Sequence, residues 1–235
     1  VSVAPSVPTM ATVPDWAVIS SMATAGGTLV LAVATFSSVR SGTRAARIAE
    51  EALLVGLRPL LFPSRPTDIA QRIMWGDHHW ATLGGGEAVM EVVDGVVYMA
   101  MSLRNVGSGI AVLRGWRIGL ADAAVSPTAS VEERMATVVR PDPADFRLQG
   151  RDLYVPAGDV NFWQAAIREA DHPLRDPVMA AIESGDLMIV DLLYGDHEGG
   201  QRTISRFSVV RGADPEAPWV SSVVRHWNLD RQDPR

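Results

Sequence analysis

Between Asp15 and Arg40 the chain runs for 24 residues without a charge, WAVISSMATAGGTLVLAVATFSSV from Trp16 to Val39. As an α-helix rising about 1.5 Å per residue, this stretch reaches roughly 36 Å, more than the roughly 30 Å of a bilayer's hydrocarbon core. A charge-free run of this length costs little in lipid and is awkward on a soluble surface, so residues 16–39 are expected to be a transmembrane helix. Two other readings compete. Apolar helices rich in small residues, here Ser20, Ser21, Ala23, Ala25, Gly26 and Gly27, also occur inside large soluble proteins. A secretory signal peptide would place a basic region before a shorter apolar stretch. Residues 1–39 contain no Arg or Lys, and Asp15 is their only charge, which argues against a signal peptide despite a cleavage-like Ala32-Val33-Ala34.

The flanks imply an orientation. Arg40, Arg44 and Arg47 follow the span closely, and the positive-inside rule then places the C-terminal bulk in the cytoplasm. Trp16 sits at the boundary where amphipathic rings favour headgroups. Small residues four apart, Ser21/Ala25 and Ala23/Gly27, are the spacing that lets two membrane helices approach, so a homodimer through this helix is one expectation. The location implied is a plasma membrane crossed once, with the lipid bilayer as first partner.

Composition narrows the rest. About 195 residues follow the span, enough for one sizeable domain. Hydrophobic residues make up 47% of the chain, which supports a packed core, and a net charge of −6 argues against nucleic acid as a partner. All 21 basic residues are arginine, a pattern that a GC-rich genome explains more simply than phosphate clamping does. The absence of cysteine rules out a disulfide framework.

The expected organisation is a disordered tail (1–15, with Pro5, Pro8 and Pro14), the transmembrane helix, a juxtamembrane helix (40–56), a β-rich domain (57–228) and a charged tail (229–235). Strands are expected at Leu57–Pro63, at Glu87–Val93 leading through the hairpin signal Asp94-Gly95 into Val96–Arg104, and at Ile110–Ile118. Val97, Met99, Met101 and Leu103 share one face of the third. Ser130-Val131-Glu132-Glu133 has capping-box spacing for a short helix, and Asp176-Pro177 starts a second that Gly185 closes. Asp152–Val155 and Val160–Ile167 flank the turn Pro156-Ala157-Gly158-Asp159. Leu187–Tyr194 reads as a central strand, followed by Thr203–Arg211 and Trp219–Trp227. Many short strands with little helix predict a mainly β, antiparallel sandwich with one or two short helices.

The strongest local motif is Leu103-Arg104-Asn105-Val106-Gly107-Ser108-Gly109-Ile110-Ala111. Asn105, Gly107 and Gly109 suit a bulge or tight turn, and the missing third glycine and following strand exclude a dinucleotide fingerprint. This L-R-N-x-G-x-G-x-A pattern after a membrane helix resembles a large group of uncharacterised bacterial membrane-anchored proteins. The P-x-G-D turn with Pro156 and Gly158 fits the same pattern. The chain departs from it at Ile110, where proline is frequent, and in its long 119–150 connection. The resemblance implies an immunoglobulin-like β-sandwich and no activity.

The chemistry-bearing residues are sparse. Asp77-His78-His79 and Asp196-His197-Glu198 lie in glycine-flanked loops, and His78, His79 and His197 are metal-ligand candidates if those loops converge. Neither loop has HExxH or CxxC spacing. Asp171-His172 and His226 lack a partner set. Gly84-Gly85-Gly86 is either a phosphate cradle or a plain loop. No nucleophile elbow is present, no catalytic residue is assigned, and no cofactor is implied. Trp75, Trp80, Trp116, Trp163, Trp219 and Trp227 are expected in the core or at its rim. The favoured function is a non-enzymatic module that holds a partner protein at the membrane. The alternatives are a membrane-tethered metal-dependent hydrolase and a small-ligand sensor.

Overall fold

The computed structural model describes residues 16–120, 139–212, 214, 217–231 and 233. The N-terminal tail and the Ser130–Glu133 capping box lie outside the described residues. The chain divides into two compact units, residues 1–52 and 53–235.

Helix α1 runs unbroken over Trp16–Gly56, so the expected span and juxtamembrane helix are one element. Trp16–Glu50 is long and apolar enough to cross a membrane. Its large apolar side chains, among them Trp16, Leu29, Leu31 and Phe36, are exposed, unlike those of a core helix. A membrane helix must satisfy its own polar groups. Here Thr24, Thr28 and Thr35 donate their hydroxyls to the carbonyls of Ser20, Thr24 and Leu31, and Ser20, Ser21 and Ser37 bond to carbonyls three residues back.

The second unit is mainly β and antiparallel, the class expected from its sequence. Its strands are β1 (Leu61–Pro63), β2 (Gln71–Met74), β3 (Trp80–Leu83), β4 (Glu87–Val93), β5 (Val96–Asn105), β6 (Ala111–Leu120), β7 (Arg147–Val155), β8 (Val160–Ile167), β9 (Met188–Gly195), β10 (Thr203–Arg211) and β11 (Trp219–Asn228). Nine of them form one curled sheet in the order β1-β5-β4-β11-β10-β9-β6-β7, with β8 on the other edge of β5. The β4–β11 link is short, Ala88 opposite Trp219 and Glu87 opposite Val220. The curl wraps a core that includes Met99, Met101, Leu113, Trp163, Val190, Leu192 and Phe207. Trp116 of β6 meets Trp163 of β8 edge to face at 5.9 Å.

The Asp94-Gly95 turn forms as its residues dictate, with φ 50° and 75°. Helix α2 (Arg175–Ser184) begins one residue before Asp176, so Asp176 and Pro177 occupy its first turn and Asp176 is not the cap. Gly185 closes it at φ 75°, donating its N–H to the Ala181 carbonyl. Strand β9 is central, between β6 and β10.

Two features depart from the expected strands. The stretch Leu57–Pro63 contributes only Leu61–Pro63 to the sheet. The hairpin β2–β3, absent from the sequence expectation, packs Ile73, Trp75 and Leu83 on Tyr98 and Ala100. It covers what would be the solvent face of β5, and that is why β5 is buried on both faces despite its alternating sequence.

Candidate functional site

The glycine–asparagine motif is a junction. Asn105 is fully buried. Its Nδ2 donates to the carbonyls of Gly109 (2.6 Å) and Val155 (3.0 Å), and its Oδ1 accepts the N–H groups of Leu60 (3.1 Å) and Gly107 (3.0 Å). Its backbone N–H reaches the Asp159 carbonyl at 3.1 Å, and its carbonyl accepts the Gly158 N–H at 2.9 Å. Asp159 in turn donates its N–H to the Pro156 carbonyl at 3.2 Å. A Cβ on Gly107 would strike the Arg58 carbonyl oxygen, and one on Gly109 the Leu57 carbonyl oxygen. These glycines let the backbone that leads into the domain cross the β5–β6 loop. Arg58 then ties this lead-in to the last strand, donating to Asn228 Oδ1 (2.9 Å) and to both Asp230 carboxylate oxygens (2.8 Å).

The histidine loops lie apart. His78 sits at φ 64° in the β2–β3 turn. His79 is engaged with Glu91 (Nε2 to Oε1, 2.6 Å) and stacks on Tyr98 at 4.1 Å. His197 follows Gly195, which pairs with Val112 at the Asn105 end of the domain. Tyr98 and Asn105 are seven residues apart along β5, roughly 23 Å at about 3.3 Å per residue. Among the described residues no group of three or more histidine and carboxylate side chains is placed to hold a metal ion. The Gly84–Gly86 run is already occupied: the Gly84 N–H bonds Glu87 Oε2 (2.9 Å) and the Gly86 N–H bonds Ser64 Oγ (2.9 Å). His172 Nδ1 accepts the Leu174 N–H at 3.2 Å.

Arg40, Arg44 and Arg47 all lie on α1. Trp80 is half exposed, with the Arg72 guanidinium 4.4 Å above its ring, whereas Trp75, Trp116, Trp163, Trp219 and Trp227 are buried.

A cleft of about 560 Å³ opens where β7 and β8 diverge. At one end the strands are joined by Asn161 Nδ2 donating to the Tyr154 carbonyl (2.6 Å). Toward the other end, Gln149 Nε2 donates to the Gln164 carbonyl (3.1 Å). Strand β7 also leaves its other neighbour here. Its pairing with β6 jumps from Leu113↔Leu153 to Gly115↔Leu148, so Gln149, Gly150, Arg151 and Asp152 bulge opposite Arg114 alone. Such bulges re-aim side chains and end pairing beside functional sites.

Trp75 and Trp116 form apolar walls of the cleft, and Arg147, Arg151 and Arg168 line it as well. Trp75 Nε1 donates to the Ala165 carbonyl on β8 at 2.9 Å. Asp77 receives the Tyr98 hydroxyl (2.7 Å) and the Arg168 guanidinium (2.9 Å). Burial works to raise the Asp77 pKa, but the Tyr98 and Arg168 hydrogen bonds outweigh it and hold the carboxyl below its ordinary value. The Tyr98 phenol is pushed up by burial and by the Asp77 charge. Arg147 donates to Glu169 Oε1 (2.7 Å) and lies 5.7 Å from the Trp116 ring centre. A backbone N–H and Arg147 lower the Glu169 pKa. Arg151 is exposed and makes no hydrogen bond or ion pair among the described residues.

Buried polar groups are ordinarily paired. Around this cleft several are not: among the described residues Gln149 Oε1, Gln164 Oε1 and an Arg147 terminal nitrogen are buried without a partner, as is Trp163 Nε1 behind Trp116. Gln164 is only 8% exposed. The arrangement offers hydrogen-bond acceptors, cationic donors and flat aromatic walls, with no activated nucleophile. Sequence reasoning placed Trp75 and Trp116 in or near the core but did not find the cleft, because Gln149 and Gln164 carry no local signature.

A second cluster missed from sequence is the buried chain Tyr194–Ser205–His226. The Tyr194 hydroxyl lies 2.7 Å from Ser205 Oγ, which lies 2.6 Å from His226 Nδ1. Tyr194 also accepts the Leu61 N–H at 3.1 Å. Burial pushes the Tyr194 phenol up to about 12 and the His226 imidazole down to about 4.

No family model matches the chain, and no curated protein matches it. Among solved structures, one described as "Crystal structure of protein from Archaeoglobus fulgidus" aligns over 62% of this chain and 95% of its own length, at 14% identity and a TM-score of 0.24. A likeness at that TM-score is no evidence of a shared fold.

Proposed function

We propose that this protein is a membrane-anchored, non-enzymatic binding module that holds a partner protein at the bilayer. Helix α1 crosses a bacterial plasma membrane once, and Arg40, Arg44 and Arg47 retain the β domain on the cytoplasmic side. The observation that carries the binding reading is the β7–β8 cleft, an open recess lined by buried hydrogen-bonding groups without partners. Unpaired buried polar atoms cost free energy in the isolated domain, and a partner that satisfies them recovers it. Its volume lies within the range of ligand sites. The metal-dependent alternative has less support, since among the described residues no group of three or more histidine and carboxylate side chains is placed to hold a metal ion.

The test uses the full chain in native membranes. A photo-crosslinking residue at Leu148, which lines the cleft and is 81% exposed, is expected to yield an adduct with another protein that a probe at Val220 does not. A reporter fused after Arg235 is expected to read cytoplasm. Identical adduct patterns from Leu148 and Val220 would overturn the binding site, and an exported reporter would overturn the orientation.

A further inference from the structure

We infer that the cleft takes an extended, acid-bearing peptide segment of the partner, laid as a short strand along the bulged edge of β7; this rests on the binding reading above. Three independent observations converge on it. The first is the state of the strand edges. Residues Gln149–Asp152 have left their β6 partners, and in the same region β8 is bridged to β7 through a glutamine side chain rather than a backbone ladder. An edge of this kind is completed by another strand. Gly150 has no atom within 4 Å of where a Cβ would stand, so a second backbone can approach closely there.

The second is the chemistry of the unpaired atoms. Gln149 Oε1 and Gln164 Oε1 are acceptors, suited to the N–H groups of an incoming backbone or side-chain amide. Gln164 is held in place by its Nε2, 3.4 Å from the Met74 carbonyl, and its own carbonyl accepts from Gln149, so its free oxygen is oriented by the fold.

The third is charge. The cleft is lined by Arg147, Arg151 and Arg168. Arg168 is committed to Asp77 and Arg147 shares Glu169, but among the described residues Arg151 is unengaged and Arg147 keeps a buried terminal nitrogen unpaired. Two guanidinium groups with free donors select a carboxylate over a neutral or basic side chain. Alternate residues of a bound strand point to opposite faces, so an acidic side chain would meet the arginines while its neighbours turn toward Trp75 and Trp116 or outward.

The full chain, embedded in lipid nanodiscs, is exposed to a displayed library of random dodecapeptides, with empty nanodiscs as the control. Enriched peptides are expected to carry Asp or Glu flanked by apolar residues at alternating positions. Arg151→Glu, at an exposed side chain with no partner among the described residues, is expected to weaken the best peptide by about tenfold or more and to shift enrichment toward basic peptides. Gln164→Leu is expected to weaken it by a similar factor while the fold is retained. Enrichment of neutral or basic peptides by the unaltered chain would overturn the acidic class, and affinity unchanged by Arg151→Glu would overturn the site. If no peptide is enriched but the Leu148 crosslink persists, strand addition is wrong while partner capture stands. If both fail, both readings fall.

Discussion

The side-chain nitrogen of Asn105 donates to the Gly109 carbonyl at 2.6 Å, folding the β5–β6 loop back onto the strand that precedes it. The same side chain also accepts the Leu60 N–H, so one buried amide joins the loop, the lead-in to the domain and, through Val155, the end of β7. The motif fastens the lead-in at Leu60 to the sheet. Asn105→Ala would leave buried backbone groups unpaired at several points and is expected to destabilise the β domain by about 3–5 kcal/mol. Gly109→Ala, which drives a Cβ into the Leu57 carbonyl oxygen, is expected to be comparably severe. Urea unfolding of the full chain in detergent, followed by tryptophan fluorescence, checks both.

Asp191 on β9 is fully buried and carries two arginines, Arg206 through a two-pronged contact (2.7 and 2.9 Å) and Arg117 at 3.0 Å. Removing the carboxylate strands both cations, so Asp191→Ala is expected to cost about 3–5 kcal/mol. Replacing Asp191 and Arg206 together with leucine is expected to recover part of that loss, because the more buried cation goes with its partner and only Arg117, 36% exposed, is left without the carboxylate. A double-mutant unfolding series measures the difference.

Burial holds the His226 pKa at about 4, below the ordinary imidazole value of about 6.5. The unfolded chain therefore takes up this proton first as pH falls. The stability contributed by neutral His226 is complete above about pH 6.5 and is lost between there and about pH 4. At roughly 1.4 kcal/mol per pKa unit the loss is about 3–4 kcal/mol. His226→Asn, which keeps a hydrogen-bonding side chain but does not titrate, is expected to flatten the stability profile over that window.

A charge at the centre of the apolar run tests the anchor. Val30→Arg places a guanidinium near mid-membrane, at about 2.5–3.5 kcal/mol on insertion scales. The variant is expected to shift from the alkali-resistant membrane fraction toward the soluble or aggregated fraction, whereas Val39→Arg, beside Arg40, is expected to remain with the membrane.

Much of the strand plan was legible locally. Glu87–Val93 and Thr203–Arg211 are strands at the expected bounds, and Asp94-Gly95 turns as its residues require. Those signals depend on backbone preference and side-chain alternation, which neighbours in sequence determine. The β2–β3 hairpin was not legible. Its strands are short, and what stabilises them is the burial of Ile73, Trp75 and Leu83 on a distant strand. The cleft was harder still. Its unpaired atoms belong to Arg147, Gln149 and Gln164, polar residues in stretches with no motif.

By itself, the sequence determined the long apolar helix, the arginine flank, the antiparallel β class and a motif built for close backbone approach. These follow from local hydrophobicity, turn chemistry and the freedom of glycine. Only the tertiary structure decided that His79 engages Glu91 rather than a distant histidine, that Asn105 joins three segments, and that β7 leaves β6 to open an arginine-lined cleft. Those outcomes depend on which strands the curled sheet brings side by side, a long-range pairing that no local pattern encodes.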